Sequence, residues 1–152
     1  MSLFRNKSFA IDLGNNNTLL TDKENILLSQ ASYIVFDKQN NSVKAVGDEA
    51  YTIFEKNHHD LKPVKPLRWG VIADYESASK MINAMVSKIF SRTNRLRGFD
   101  TIISGVPFST TEVERRALRD TLEQFNASKS FLLFEPLAAA MGMGLNIRET
   151  GW

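Results

Sequence analysis

Phe9-Ala10-Ile11-Asp12-Leu13-Gly14-Asn15-Asn16-Asn17-Thr18 decides how the rest of this chain reads. A short apolar strand delivers one carboxylate, then a glycine turn, then four small polar residues. That order suits a phosphate-binding loop. Gly14 lets the backbone approach a phosphate closely. The side chains of Asn15, Asn16, Asn17 and Thr18, with the loop N–H groups, can donate to its oxygens. Asp12 is placed to hold Mg²⁺ through its water shell. Alone, the stretch reads equally as a hairpin turn whose Asp and Asn side chains satisfy local backbone.

A second motif changes that balance. Phe134-Glu135-Pro136-Leu137-Ala138-Ala139-Ala140 puts a carboxylate at the end of a strand, where α/β sheets bind ligands, and follows it with small residues that let a helix pack closely. By itself Glu135 is a helix-start charge favoured by the dipole. Paired with Asp12 it can flank one cleft, one carboxylate serving a metal and the other orienting or polarising a water aimed at a γ-phosphate. No Gly-x-x-x-x-Gly-Lys-Ser/Thr loop occurs, which excludes a P-loop NTPase.

Between the motifs the spacing predicts strands at 8–12, 18–21, 26–29, 32–37 and 43–46, an antiparallel meander, followed by a short helix over 48–56. Residues 64–72 read as extended, with Trp69 as a packing anchor. From Asp74 the period changes. Ala78, Met81, Ile82, Met85, Val86, Ile89 and Phe90 mark an amphipathic helix with Asp74 as N-cap. A basic loop over 91–98 leads to a strand at 101–106. Ser109 and Glu112 suggest a capping box opening a helix striped with Val113, Ala117, Thr121, Leu122 and Phe125. A strand at 130–134 and a helix over 137–143 complete the alternation, with Met141 and Met143 read as core. Helix and strand alternating this way imply parallel pairing with right-handed crossovers.

At 152 residues the chain makes one compact domain or a domain with a small satellite. Its net charge of +2 is too small to argue for a nucleic-acid partner. The absence of cysteine excludes disulfides and thiolate metal sites. His58-His59 lacks further ligands and reads as solvated loop. The first residues carry no secretory pattern and no run spans a bilayer. The 92–99 stretch sets three arginines around Leu96 and Phe99. It reads as a solvated turn or as a membrane contact made by Arg95, Leu96, Arg97 and Phe99. Leu3-Phe4 beside Arg5 and Lys7 is a weaker candidate of the same kind.

The ordered set of motifs resembles the bacterial actin MreB family. It comprises Ala10 to Gly14 with Asn17-Thr18, Ala45-Val46-Gly47-Asp48-Glu49-Ala50, Pro66 to Tyr75, Val106-Pro107 with Thr111 to Ala117, and Glu135 to Ala140. The resemblance covers essentially the whole chain. It implies an α/β, actin-like (ribonuclease H-like) subdomain IA formed by 1–30 and 73–152, with a small inserted α+β subdomain IB at 31–72 that takes part in longitudinal contacts. It further implies ATP and Mg²⁺ as cofactors. Asp12, Gly14, Asn15, Asn16, Asn17 and Thr18 would form the first phosphate loop, and Glu135 would be the water-orienting catalytic residue. Val113 would lie at a lateral filament contact, with the membrane loop at Leu96 and Phe99 nearby. Implied partners are other copies in a filament, the cytoplasmic membrane surface and cell-wall elongation proteins. The implied location is the cytoplasm, peripheral at the inner face of the membrane.

The family usually carries Gly-Thr-Ala-Asn-Thr where this chain has Gly14-Asn15-Asn16-Asn17-Thr18. The family's second phosphate loop and the half that closes over adenine do not occur in these 152 residues. The expectation is weak nucleotide binding and negligible ATPase by this chain alone. Two alternatives stay open on the sequence: a small-molecule kinase of the actin/sugar-kinase superfamily, and an interaction module that keeps the fold without chemistry.

Overall fold

Alternation fixes the first strand. In β1 (Phe9–Leu13) the side chains of Phe9, Ile11 and Leu13 are buried while Ala10 and Asp12 face the other way, as a two-residue period requires. The computed structural model describes residues 7–23, 25–56 and 59–148. The Leu3-Phe4-Arg5 candidate, His58 and the side chain of Arg97 lie outside the described residues.

β1 pairs antiparallel with β2 (Asn17–Thr21), and β2 with β3 (Ile26–Ala31). On the other side of β1, β9 (Phe99–Val106) and β10 (Ala127–Phe134) add in parallel. The sheet order is β10-β9-β1-β2-β3. The predicted continuous meander is divided in two. β4 (Ile34–Asp37) leaves this sheet and forms a second one, β5-β4-β6, with β5 (Val43–Val46) and β6 (Leu61–Val64). Ser32 carries the β2–β3 register one residue further, its N–H donating to the Asn16 carbonyl at 2.8 Å. Its hydroxyl donates to the Gly14 carbonyl at 2.7 Å, so the end of β3 is tied to the first loop before the chain turns into β4. α1 (Asp48–Phe54) packs on the second sheet. There Ala31, Tyr33, Val35, Ala45 and Ala50 form a hydrophobic cluster of their own.

α2 (Tyr75–Ile89) covers the main sheet and buries the predicted face, including Met81, Ile82, Met85 and Val86. Asp74 caps it, accepting from the Ser77 N–H at 3.1 Å and the Ser77 hydroxyl at 2.8 Å. α4 (Glu112–Glu123) crosses between β9 and β10. Its capping box uses Thr111 and Glu114, two residues beyond the predicted pair. Thr110 is the reason: its N–H and hydroxyl both bond the Pro107 carbonyl, prolonging the turn after β9. The stripe α4 buries is Leu118, Thr121 and Leu122, and Val113 lies off it, 79% exposed.

Three further expectations are corrected. The basic stretch is not all loop but contains a short helix, α3 (Arg92–Arg97). Met141 is exposed on α5 (Glu135–Gly142), a helix with no buried residue, and Met143 just beyond it is exposed too. Trp69 is no packing anchor, for it is 88% exposed. It sits with Gly70 at the tip of a hairpin whose arms are β7 (Leu67–Arg68) and β8 (Val71–Ile72). Both tip residues have positive φ, 55° and 77°, the signature of a type I′ turn. Asn and Gly suit that turn. A bulky side chain there is an outlier costing about 1–3 kcal/mol. Among the described residues, the other positive-φ residues that are not glycine are asparagines, Asn41 and Asn126.

Candidate functional site

The face of the main sheet opposite α2 builds the site. Period two puts Ala10 and Asp12 of β1, Leu19 and Thr21 of β2, Ile103 and Gly105 of β9 and Leu133 of β10 on that face. Together with Glu135, Ala138 and Ala139 of α5 they line an open cleft of about 820 Å³. Gly14 and Asn15 enter from the first loop, and Trp69, Gly70 and Pro107 form the rim.

Asp12 and Glu135 meet across Gly105. A Cβ at Gly105 would stand 3.5 Å from the Glu135 Cγ and 3.9 Å from the Asp12 Oδ1. The missing side chain therefore keeps open the space between the two carboxylates. Burial raises the Asp12 pKa above the ordinary aspartate value. Burial also raises that of Glu135, and the neighbouring Asp12 charge adds to it. Both side chains keep solvent exposure, and a cation between them would favour their charged forms. No group of three or more His, Cys, Asp or Glu that could hold a metal occurs among the described residues. Two carboxylates on one cleft are a donor set of the kind Mg²⁺ uses, one or two carboxylates with the shell completed by water and phosphate oxygens.

The first loop is short and braced. Leu13 pairs with Thr18, leaving residues 14–17 to turn the chain. A Cβ on Gly14 would lie 2.5 Å from the Asn17 carbonyl oxygen, so the glycine is required by the turn itself as well as by any close ligand. We expect Gly14→Ala to cost about 1–3 kcal/mol through forced backbone shifts, read as a lowered denaturation midpoint. The predicted loop residues divide. Asn15 lines the cleft, whereas Asn16 and Asn17 do not. Asn16 instead accepts from the Lys65 ammonium at 3.1 Å. Thr18 is fully buried, its hydroxyl 3.0 Å from that of Ser32. It faces the core because it shares the inward parity of Leu20, so it braces the loop and does not line the cleft.

Sequence reasoning missed Lys65, Gly105 and the rim position of Trp69. A glycine inside a strand is a signal for close approach, and Gly105 carried it. Of the proposed membrane residues, Leu96 is 72% exposed and Arg95 half-buried. Phe99 is corrected: it is 1% exposed, its ring 4.9 Å from that of Phe9 and 5.0 Å from that of Phe90. It begins β9 and plugs the core.

A β10-β9-β1-β2-β3 sheet with a carboxylate at the end of β1 and another at the start of α5, facing one cleft, defines an actin-like protein. MreB5 of Spiroplasma citri bound to ADP superposes with a TM-score of 0.79 at 29% identity, covering 93% of this chain and 42% of that one. The same protein bound to AMPPNP gives 0.82 at 28% identity, covering 95% and 43%. A MamK double helical filament shares the fold, with a TM-score of 0.72 at 17% identity, covering 90% and 44%.

The family model described as MreB/Mbl protein matches residues 6–151, and the chain belongs to that family. The cell shape-determining protein MreB of Escherichia coli (strain K12) is 33% identical over 145 residues, covering 92% of this chain and 42% of that protein. The cell shape-determining protein Mbl of Bacillus subtilis (strain 168) is 30% identical over 142 residues, covering 93% and 42%. This chain therefore spans well under half the length of the relatives it matches.

Proposed function

We propose that this chain supplies the first phosphate-binding half of an ATP-dependent, membrane-associated filament protein that directs cell-wall synthesis and rod shape. The observation that carries the reading is the meeting of Asp12 and Glu135 on one cleft beside the Gly14 loop. Solved relatives that hold ADP and AMPPNP support a nucleotide as the ligand.

Asp12 would hold the hydrated Mg²⁺, and Gly14 and Asn15 would meet the phosphates. Mg²⁺, when bound, supplies charge neutralisation to those phosphates. Glu135 would orient or polarise a water. In the filament reading, Val113 offers an exposed apolar contact in the first turn of α4. Residues 31–72, with a sheet and core cluster of their own, would form the inserted subdomain used in longitudinal contacts. Leu96 on α3 would touch the inner face of the membrane, where the protein would lie peripherally. No helix among the described residues is long and apolar enough to cross one.

Equilibrium dialysis of the chain with Mg-ATP tests the reading. Weak, saturable binding that Asp12→Asn removes is the expected result. Phosphate release by the chain alone should be negligible, since it spans only 42% of the length of its relatives. Turnover matching that of a longer MreB would overturn this, and no binding at all would overturn the nucleotide reading.

A further inference from the structure

We propose that Trp69 is a lid residue that covers the terminal phosphate of a nucleoside triphosphate in the Asp12–Glu135 cleft. The inference rests on the nucleotide reading above and adds to it a residue that discriminates the triphosphate from the diphosphate.

Trp69 occupies the first central position of a two-residue type I′ turn with φ 55°, where Asn or Asp is at home. Strain of this sort survives when the surroundings hold it, and it gathers at ligand clamps. Packing gives nothing in return, since the indole is 88% exposed. A large apolar ring left open to water in a disfavoured backbone is unfavourable on both counts in the ligand-free protein.

The surroundings do hold the turn. Leu67 at its base is fully buried. The N–H groups of Ala73 and Asp74 both donate to the Pro66 carbonyl, at 3.0 and 3.1 Å, closing the hairpin onto the cap of α2. At the tip, a Cβ on Gly70 would stand 2.9 Å from the Pro107 Cγ and 3.9 Å from the Glu135 Oε1. The turn is wedged against the end of β9 and the second carboxylate, and Trp69 lines the cleft beside them. Glu135 is the end of the cleft where a terminal phosphate would lie if that residue orients the attacking water. An indole suits a lid there. Its flat apolar face excludes water, and its one N–H can donate to a phosphate oxygen.

The test uses the full 152-residue chain carrying Trp152→Phe, so that Trp69 is the sole tryptophan. Binding of Mg-ATP, Mg-ADP and inorganic phosphate is measured by equilibrium dialysis, and Trp69 is probed separately by acrylamide quenching. The expected result is at least twofold protection of Trp69 by Mg-ATP, less by Mg-ADP and none by phosphate. Trp69→Asn should weaken Mg-ATP at least fivefold and Mg-ADP less than twofold, while raising the melting temperature because Asn suits the turn. Trp69→Phe should recover part of the Mg-ATP affinity. A raised melting temperature shows that lost affinity is not lost folding. Mg-ATP binding that is unchanged in Trp69→Asn, or that leaves quenching unaltered, overturns the lid and spares the nucleotide site. Absence of any Mg-ATP binding in the parent protein overturns the site and the lid together.

Discussion

Phe99→Ala should lower the stability of this protein by about 3–5 kcal/mol, the usual cost of deleting a buried phenyl ring from a core. The ring is 1% exposed and packs edge-on to Phe9 at 4.9 Å, Phe90 at 5.0 Å and Phe125 at 6.4 Å. Aromatic pairs of this geometry add about 0.5–1.5 kcal/mol beyond the area they bury. Against a total of about 5–15 kcal/mol for a domain, the loss is a large fraction. Urea denaturation followed by circular dichroism measures it directly. The companion variant Leu96→Ala should change stability by no more than about 0.5 kcal/mol, because that side chain is 72% exposed on α3. On the membrane reading proposed above, its effect falls on sedimentation with anionic liposomes. There, loss of an inserted Leu side chain worth about 1.5–3 kcal/mol of burial should reduce binding about tenfold or more. A stable Phe99→Ala that loses liposome binding would return Phe99 to the membrane face. Unchanged liposome binding by Leu96→Ala would remove α3 from it.

The contrast between these neighbours shows what the sequence could and could not reveal. Asp12 and Glu135 were legible because one lies a residue before the end of β1 and the other directly follows β10, each beside residues with strong local preferences, a glycine turn in one case and a proline-started helix in the other. Thr18 was legible in principle: it shares parity with Leu20, and alternation alone sends it inward. Phe99 was not. Its burial depends on the end of α2 delivering Phe90 against it, a tertiary fact that adjacency to Leu96 obscures. The main parallel pairing followed from alternation of helix and strand. That β4 leaves the main sheet was not legible in the strand pattern itself. Trp69 was beyond reach for a related reason: its place on the rim follows from the hairpin tip lying against Pro107, which is distant in sequence.

Asp12→Asn should abolish most Mg-nucleotide binding and at the same time stabilise the ligand-free fold. The two effects have one origin. Folding hems in the Asp12 and Glu135 carboxylates and holds their pKa values above the ordinary range, Glu135 partly through the Asp12 charge. Between its unfolded and folded pKa, each group binds more protons in the folded state than in the unfolded one. Stability from these groups is therefore greatest below the unfolded pKa and falls as pH rises through the folded value. In their charged forms both groups count against the fold, by an amount that solvent screening reduces because both keep exposure, and a neutral Asn at position 12 relieves the partial desolvation of that site and the repulsion felt by Glu135. A cation in the cleft reverses that balance, since it favours the charged forms. Mg-ATP binding by the parent protein should accordingly weaken on acidification, starting at higher pH than for an ordinary aspartate. Dialysis from pH 8 down to pH 5 checks this direction, with thermal melts of both proteins over the same range. We expect at least a tenfold loss of Mg-ATP affinity in Asp12→Asn at pH 7.5, with a higher melting temperature and a flatter pH dependence. Equal affinity in the two proteins would sink the assignment of Asp12 to the cation. A lower melting temperature in the variant would show that the carboxylate is held by favourable contacts within the fold and is not kept in reserve for a ligand.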